Sequence, residues 1–195
     1  NAVLDMLPIV AAAAALPIRS DPVLGQAICV LTDIISDPYP GVSVIPSRCR
    51  VTFDRRLLPG ETAETVLAEF RQLAAAGNPG GELHARLAEA GHRTYTGRLL
   101  AGPKFMPAWV FAEDHPFVAA ARRGLHAAGL QPAIGAYRFC TDAAYSAGTA
   151  GVPTIGFGPG RERDAHVSDE SLSLAELAAA KRGYAGIIAA VCSSS

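Results

Sequence analysis

The sequence predicts an α/β protein built in two parts. Three observations carry that prediction. Segments with helical spacing of apolar residues alternate with short β-branched runs, and Gly/Pro clusters separate them. The character of the chain also changes after Gly102, where Pro103, Pro107 and Trp109 mark a linker. We expect one domain over residues 1–107 and a second over 108–195. A chain of 195 residues, half of them hydrophobic, is long enough to bury a core. Its 17 basic and 18 acidic residues nearly cancel, so nothing electrostatic points to nucleic acid or an anionic membrane as a partner. No apolar run approaches the roughly 20 residues that span a bilayer.

Residues 2–16 are rich in Ala and Leu on several faces and predict a packed helix, kinked where Pro8 removes a backbone donor. Residues 26–35 are β-branched and predict a strand. The run Asp37-Pro38-Tyr39-Pro40-Gly41 is a turn by composition. Residues 42–56, carrying Val44, Ile45, Val51 and Phe53, predict its antiparallel partner, ended by Pro59-Gly60. A helix over 61–76 places Val66, Leu67, Phe70 and Leu73 at three/four spacing. After the break at Asn78-Pro79-Gly80-Gly81, residues 83–90 predict a short helix and 92–100 a further strand. That order is that of a small α/β sandwich whose first strand would lie before Asn1.

In the second part, Glu113-Asp114-His115-Pro116 opens a helix that stops at Gly129. Strand-like stretches at 134–140 and 153–157 alternate with a helical stretch at 141–150 and a final helix at 174–191. Such alternation predicts a layered sheet. Cys29, Cys49, Cys140 and Cys192 form no CxxC pair, so buried reduced thiols and a cytoplasmic setting are expected. The chain begins inside a helical pattern and ends in Ser193-Ser194-Ser195 after an apolar helix, which reads as a truncated sequence.

The segment with most chemistry runs from Gly156-Phe157-Gly158-Pro159-Gly160 to His166 and Glu170. A buried strand emptying into a Gly/Pro loop suits a ligand site. His166 is a candidate metal ligand, with Asp164, Asp169 or Glu170 available to orient the ring. The plainer reading is a surface loop whose Ser168, Asp169 and Glu170 cap the next helix. One His is not a site, since zinc takes three or four ligands. Thr141 and Asp142 follow an apolar strand, so Thr141 either contacts a substrate carboxylate or carbonyl, or simply caps a helix. An Asp–Arg pair at Asp54-Arg55-Arg56 is expected to secure a turn or an interface. His84, His92, His115 and His126 lack metal-like spacing.

These segments together resemble the family of acetylornithine deacetylase, succinyl-diaminopimelate desuccinylase, aminoacylase and glutamate carboxypeptidase. The run Ser43-Val44-Ile45-Pro46 through Asp54-x-Arg56-x-x-Pro59-Gly60-Glu61-Thr62 is similar to the family's lid signature. Thr141-Asp142, Gly151-Val152-Pro153, Gly158-Pro159-Gly160 and His166 are similar to its C-terminal catalytic signature, and Asn1-Ala2 to the head of its first lid helix. The wording around Asp37-Pro38-Tyr39-Pro40-Gly41, Arg138-Phe139-Cys140-Thr141-Asp142 and Gly158-Pro159-Gly160-Arg161-Glu162 is nearest the selenium-metabolism hydrolase branch.

The resemblance implies a ferredoxin-like α+β lid that makes a homodimer, followed by the C-terminal part of a zinc-peptidase-like α/β catalytic domain. It implies hydrolysis of a small amide, such as an N-acyl amino acid or a dipeptide, by two zinc ions, with cobalt or manganese as substitutes. His166 matches the family's late metal ligand, and Thr141, Ser43 and Gly158 match positions near substrate. The other ligands and the general base would lie before Asn1, leaving the chain inactive alone. Ser43 departs from the Asn usual there, and its shorter side chain alters that contact. The competing expectation is a non-catalytic dimerisation or interaction module. A Ser or Cys hydrolase finds no Gly-x-Ser-x-Gly elbow here.

Overall fold

A computed structural model describes residues 1–77, 80–137 and 139–193. The expected break at Asn78-Pro79, the position of Arg138 and the tail at Ser194-Ser195 lie outside the described residues. The chain divides into two compact units, Asn1–Ala108 and Trp109–Ser195, and helices and strands are both present.

In the first unit, helix α1 (Ala2–Ala14) begins at Asn1, whose side chain accepts the Val3 and Leu4 N–H groups at 3.1 and 3.4 Å. That cap satisfies donors the first turn cannot satisfy internally. Pro8 sits inside the helix, and Ile9 and Ala13 are its buried positions. A short hairpin follows, β1 (Ser20–Asp21) with β2 (Gly25–Gln26). The main ladder pairs β3 (Ile28–Asp37) antiparallel with β4 (Arg48–Arg56), interrupted by a bulge between Leu31 and Asp33. The β4 strand begins six residues later than expected. Pro46 cannot donate to a ladder, and Ser43 has a φ of 55°, so residues 42–47 form a loop. Helix α2 (Ala63–Gly77) packs on α1, burying Val66 and Ala74, and Phe70 meets Phe53 of β4 with ring centroids 5.1 Å apart.

Two expectations are corrected in the remainder of this unit. Residues 82–88 form no helix: Leu83, Ala85 and Leu87 are half-buried in alternation, a period of two. The single strand expected over 92–100 is instead a hairpin, β5 (Glu89–Arg93) with β6 (Leu99–Pro103). Its turn closes through the Thr94 N–H on the Arg98 carbonyl at 2.8 Å, with Gly97 at a φ of 83°. Among the described residues the strands form three separate two-stranded ladders.

A charged cluster occupies the inward side of β4. Arg55 donates to Glu61 at 2.6 Å and to Glu69, and Arg19 pairs with both carboxylates. Glu61 also accepts the Leu58 N–H at 2.8 Å, which closes the turn before α2. The side chains of Arg55 and Glu61 are only 9% and 7% exposed, so removing one partner strands the other. Burial pushes the Glu61 carboxyl up, but the Leu58 N–H and the Arg55 and Arg19 guanidinium groups outweigh it and hold it below its ordinary value. Arg56, by contrast, meets Asp54 at the exposed surface, 3.4 Å away.

The second unit is two packed helices with long connecting segments. Helix α3 (Pro116–Ala127) starts with Pro at its first position, and His115 Nδ1 accepts the Phe117 N–H at 3.2 Å. Glu113 and Asp114 lie just before the cap. It ends at Gly129, φ 77°, where the Leu130 N–H returns to the Leu125 carbonyl. A π-helical turn occupies Ala144–Thr149, and α4 runs over Leu174–Cys192. The buried residues Val118, Ala120, Ala121, Leu125, Ala144 and Ala180 form a core of mostly small side chains. The strands expected at 134–140 and 153–157 do not form a ladder among the described residues. A strand needs a hydrogen-bonding neighbour in register, and here side chains join the segments instead. Helices α3 and α4 meet where Gly124 faces Gly186. A β-carbon on Gly124 would overlap the Gly186 carbonyl and fall 2.8 Å from the Ile187 nitrogen.

The cysteines are less enclosed than expected: Cys29 and Cys49 are half-buried, Cys140 and Cys192 exposed, and none is in a disulfide. Burial raises the Cys29 thiol despite the nearby Arg55. No helix among the described residues is long and apolar enough to cross a membrane.

Two expected outcomes follow from these contacts. Because the folded Glu61 has a depressed pKa, its stabilisation is fully present above the ordinary Glu value of about 4.3 and is lost as pH falls through the folded value. Glu61→Gln should cost about 3 kcal/mol at pH 7 and flatten the acid limb of stability against pH in urea titrations; parallel curves for variant and parent would refute the cluster's role. For Gly124→Ala, the helix-propensity gain of about 1 kcal/mol competes with overpacking of about 1–3 kcal/mol. The contact is backbone and cannot swing aside, so net destabilisation is expected, while Gly135→Ala, with nothing within 4 Å, should be close to neutral.

Candidate functional site

The glycines of α4 prepare the site. Gly183 lies under the Phe157 ring: a β-carbon there would come 2.6 Å from the ring's ζ carbon and 2.9 Å from a Leu125 methyl. Phe157 therefore docks in the space that a missing side chain leaves. Its ring meets Tyr184 edge-on at 5.1 Å, and the Tyr184 hydroxyl donates to the Phe157 carbonyl at 2.5 Å. Just before it, Gly156 accepts the flank of the Tyr137 ring, which stacks on Phe139 at 4.9 Å. Ser146 and Thr154 share a hydrogen bond of 2.9 Å, tying the π-helical turn to the same segment.

From Phe157 the chain leaves the helices as a loop. Gly158 is exposed, and a β-carbon there would sit 3.7 Å from the Tyr184 oxygen. Gly160 has a φ of 91° and lies against Leu172. A single 3-10 turn, Glu162–Asp164, carries the chain to His166. His166 is exposed and adopts a φ of 61°, a left-handed conformation uncommon for a residue with a β-carbon. Its backbone N–H donates to the Glu170 carboxylate at 3.1 Å. Two shallow grooves flank the loop. One, of about 570 Å³, is lined by Pro159, Leu174, Leu177, Lys181 and Tyr184. The other, of about 240 Å³, is lined by Pro159, Arg161, Asp164, Glu170 and Leu172.

Gly158 and His166 thus share one loop. Thr141 lies at the head of the π-helical turn, where its hydroxyl accepts the Ala143 N–H at 3.2 Å, the capping arrangement. Ser43 belongs to the first unit, exposed on the loop between β3 and β4. Of the three acids expected to orient the imidazole, Asp164, Asp169 and Glu170, Glu170 meets His166 at the backbone. Asp164 pairs with Arg163 at 3.5 Å. The residues that hold this loop, Tyr184 and Gly183, were not among those singled out from the sequence. The signal available was a Gly-Tyr pair, Gly183-Tyr184, in an alanine-rich helix.

An imidazole on an exposed loop suits a zinc ion chemically. Among the described residues, however, no three His, Cys, Asp or Glu side chains stand together as a metal site. His166 supplies one donor of the three or four a site requires.

The chain is 31% identical over 192 residues to the uncharacterized protein YgeY of Escherichia coli strain K12, and equally to that of Escherichia coli O157:H7. Each alignment takes in 96% of this chain but 46% of the relative, so the chain spans about half the length of these curated relatives. The pattern that defines peptidase family M20/M25/M40 matches residues 25–190, from the β2 strand through the His166 loop into α4. A match of that extent, over both units, makes the chain a member of peptidase family M20/M25/M40.

Proposed function

We propose that this chain is part of a zinc-dependent hydrolase that cleaves an amide in a small substrate such as an N-acyl amino acid or a dipeptide. The observation that carries the reading is the exposed imidazole of His166, held on a Gly/Pro loop by contacts at both ends. Family membership supports hydrolysis, and the resemblance of the lid and C-terminal segments supports the finer assignment.

In this reading residues 1–107 are a ferredoxin-like lid that pairs with a second copy, and 108–195 complete a zinc-peptidase-like domain nearest the selenium-metabolism branch. His166 would hold one metal of a pair, and zinc, or cobalt or manganese in its place, would supply Lewis-acid chemistry for amide hydrolysis. Thr141, whose oxygen already accepts a backbone N–H, keeps its hydrogen for a substrate carboxylate or carbonyl. Gly158 leaves the loop backbone open to substrate, and Ser43 contributes a short polar contact. The family resemblance assigns the remaining donors and the general base to residues before Asn1. The four cysteines outside disulfides are in keeping with a reducing, cytoplasmic compartment.

Replacing His166 tests the reading. In the complete protein His166→Ala should lower bound zinc from two ions toward one and reduce amide hydrolysis by at least about 100-fold, as loss of a metal ligand and its charge stabilisation would. Unchanged zinc content together with unchanged turnover would remove His166 from the site. The 195-residue chain by itself should show no turnover of N-acyl amino acids.

A further inference from the structure

His166 stands in a conformation that glycine adopts freely and histidine does not. At Gly160, φ 91°, the same loop solves a left-handed turn by omitting the side chain. At 166 the side chain is retained, at a conformational cost of about 1 kcal/mol or more. Something must offset that cost in an exposed loop. The His166 N–H donates to the Glu170 carboxylate at 3.1 Å, a charge-assisted bond of the stronger kind. Glu170 is itself steadied, because its N–H returns to the Val167 carbonyl at 3.3 Å. The pair closes a five-residue turn over the groove shared with Arg161 and Asp164.

We propose that Glu170 is a positioning residue: by holding the His166 N–H it fixes the left-handed backbone from which the imidazole is presented. Its functional meaning rests on the proposed role of His166 as a metal ligand. An amide oxygen accepts an N–H as a carboxylate does, so Gln should serve where Ala does not. The direction in which a side chain leaves the backbone depends on φ, so release of the turn would swing the ring away from any fixed metal position.

Glu170→Ala, Glu170→Gln and His166→Ala in the complete protein distinguish the possibilities, read by amide exchange in NMR and by zinc affinity in chelator competition. Glu170→Ala should speed exchange of the His166 amide about tenfold and weaken zinc binding about 10- to 100-fold, and Glu170→Gln should keep both near the parent values. Unchanged exchange at His166 in Glu170→Ala overturns the proposal. So does faster exchange with unaltered zinc affinity, which would reduce Glu170 to closing a turn. If His166→Ala keeps its full zinc affinity, the ligand assignment fails and the positioning role falls with it, while the exchange measurement still reports whether the carboxylate holds the backbone.

Discussion

The second unit depends on side chains that are absent. Gly124 and Gly186 let α3 and α4 approach until backbone meets backbone, and at that distance Gly183 leaves a recess for the Phe157 ring. Phe157 then offers its carbonyl to the Tyr184 hydroxyl, and the loop toward His166 departs from that fixed point. Each step needs the one before it. A larger residue at 124 or 186 would part the helices, and a larger one at 183 would displace Phe157 and with it the origin of the loop. With a core made mostly of alanines, the unit gains less from apolar area per residue than from close contact.

The first unit solves the same shortage of core differently. Few of its residues are fully buried, and large apolar side chains such as Tyr39, Val42 and Ile45 stand exposed. What joins β4, the turn before α2 and α2 itself is the Arg55 cluster, with Glu61 serving both the guanidinium and the Leu58 N–H. Such a cluster contributes little net free energy compared with an apolar replacement of the same shape. It does specify geometry, because the planar guanidinium donates to two carboxylates only along its donor edges.

Much of this was readable in the sequence, and the failures have identifiable causes. Long periodic segments gave the four helices, and the Gly129 stop and Pro116 start were set by local chemistry alone. Alternation along β4 was available too: Cys49, Val51, Phe53 and Arg55 lie two apart and share partial burial, so Arg55 rather than Arg56 was the residue facing inward. The period of two at Leu83, Ala85 and Leu87 was likewise present but read as helix. The turn at Gly97 was hidden by treating 92–100 as continuous. Strand-like composition at 134–140 and 153–157 could not reveal whether a neighbour would be there to pair with, because pairing is a property of two segments. The His166 loop was legible as a Gly/Pro run carrying an imidazole. Its means of support was not, since the hydrogen bond to Glu170 arises from a backbone conformation that no spacing rule announces.

A residue that donates to a metal and a structure that positions the donor are separate achievements, and the contacts along the His166 loop bear on the second. One imidazole binds zinc weakly wherever it is placed; affinity and reactivity arise when three or four donors are held at fixed angles. The loop from Phe157 to Glu170 has the features such holding requires. Its origin is locked to α4, its bend is made at a glycine packed on Leu172, and its tip is closed by a carboxylate on a backbone N–H. A loop that served only to connect two elements would need none of these, since exposed connections tolerate slack at little cost in free energy. Restraint at three points in fourteen residues is therefore the physical ground for treating His166 as a presented group rather than as one more exposed histidine.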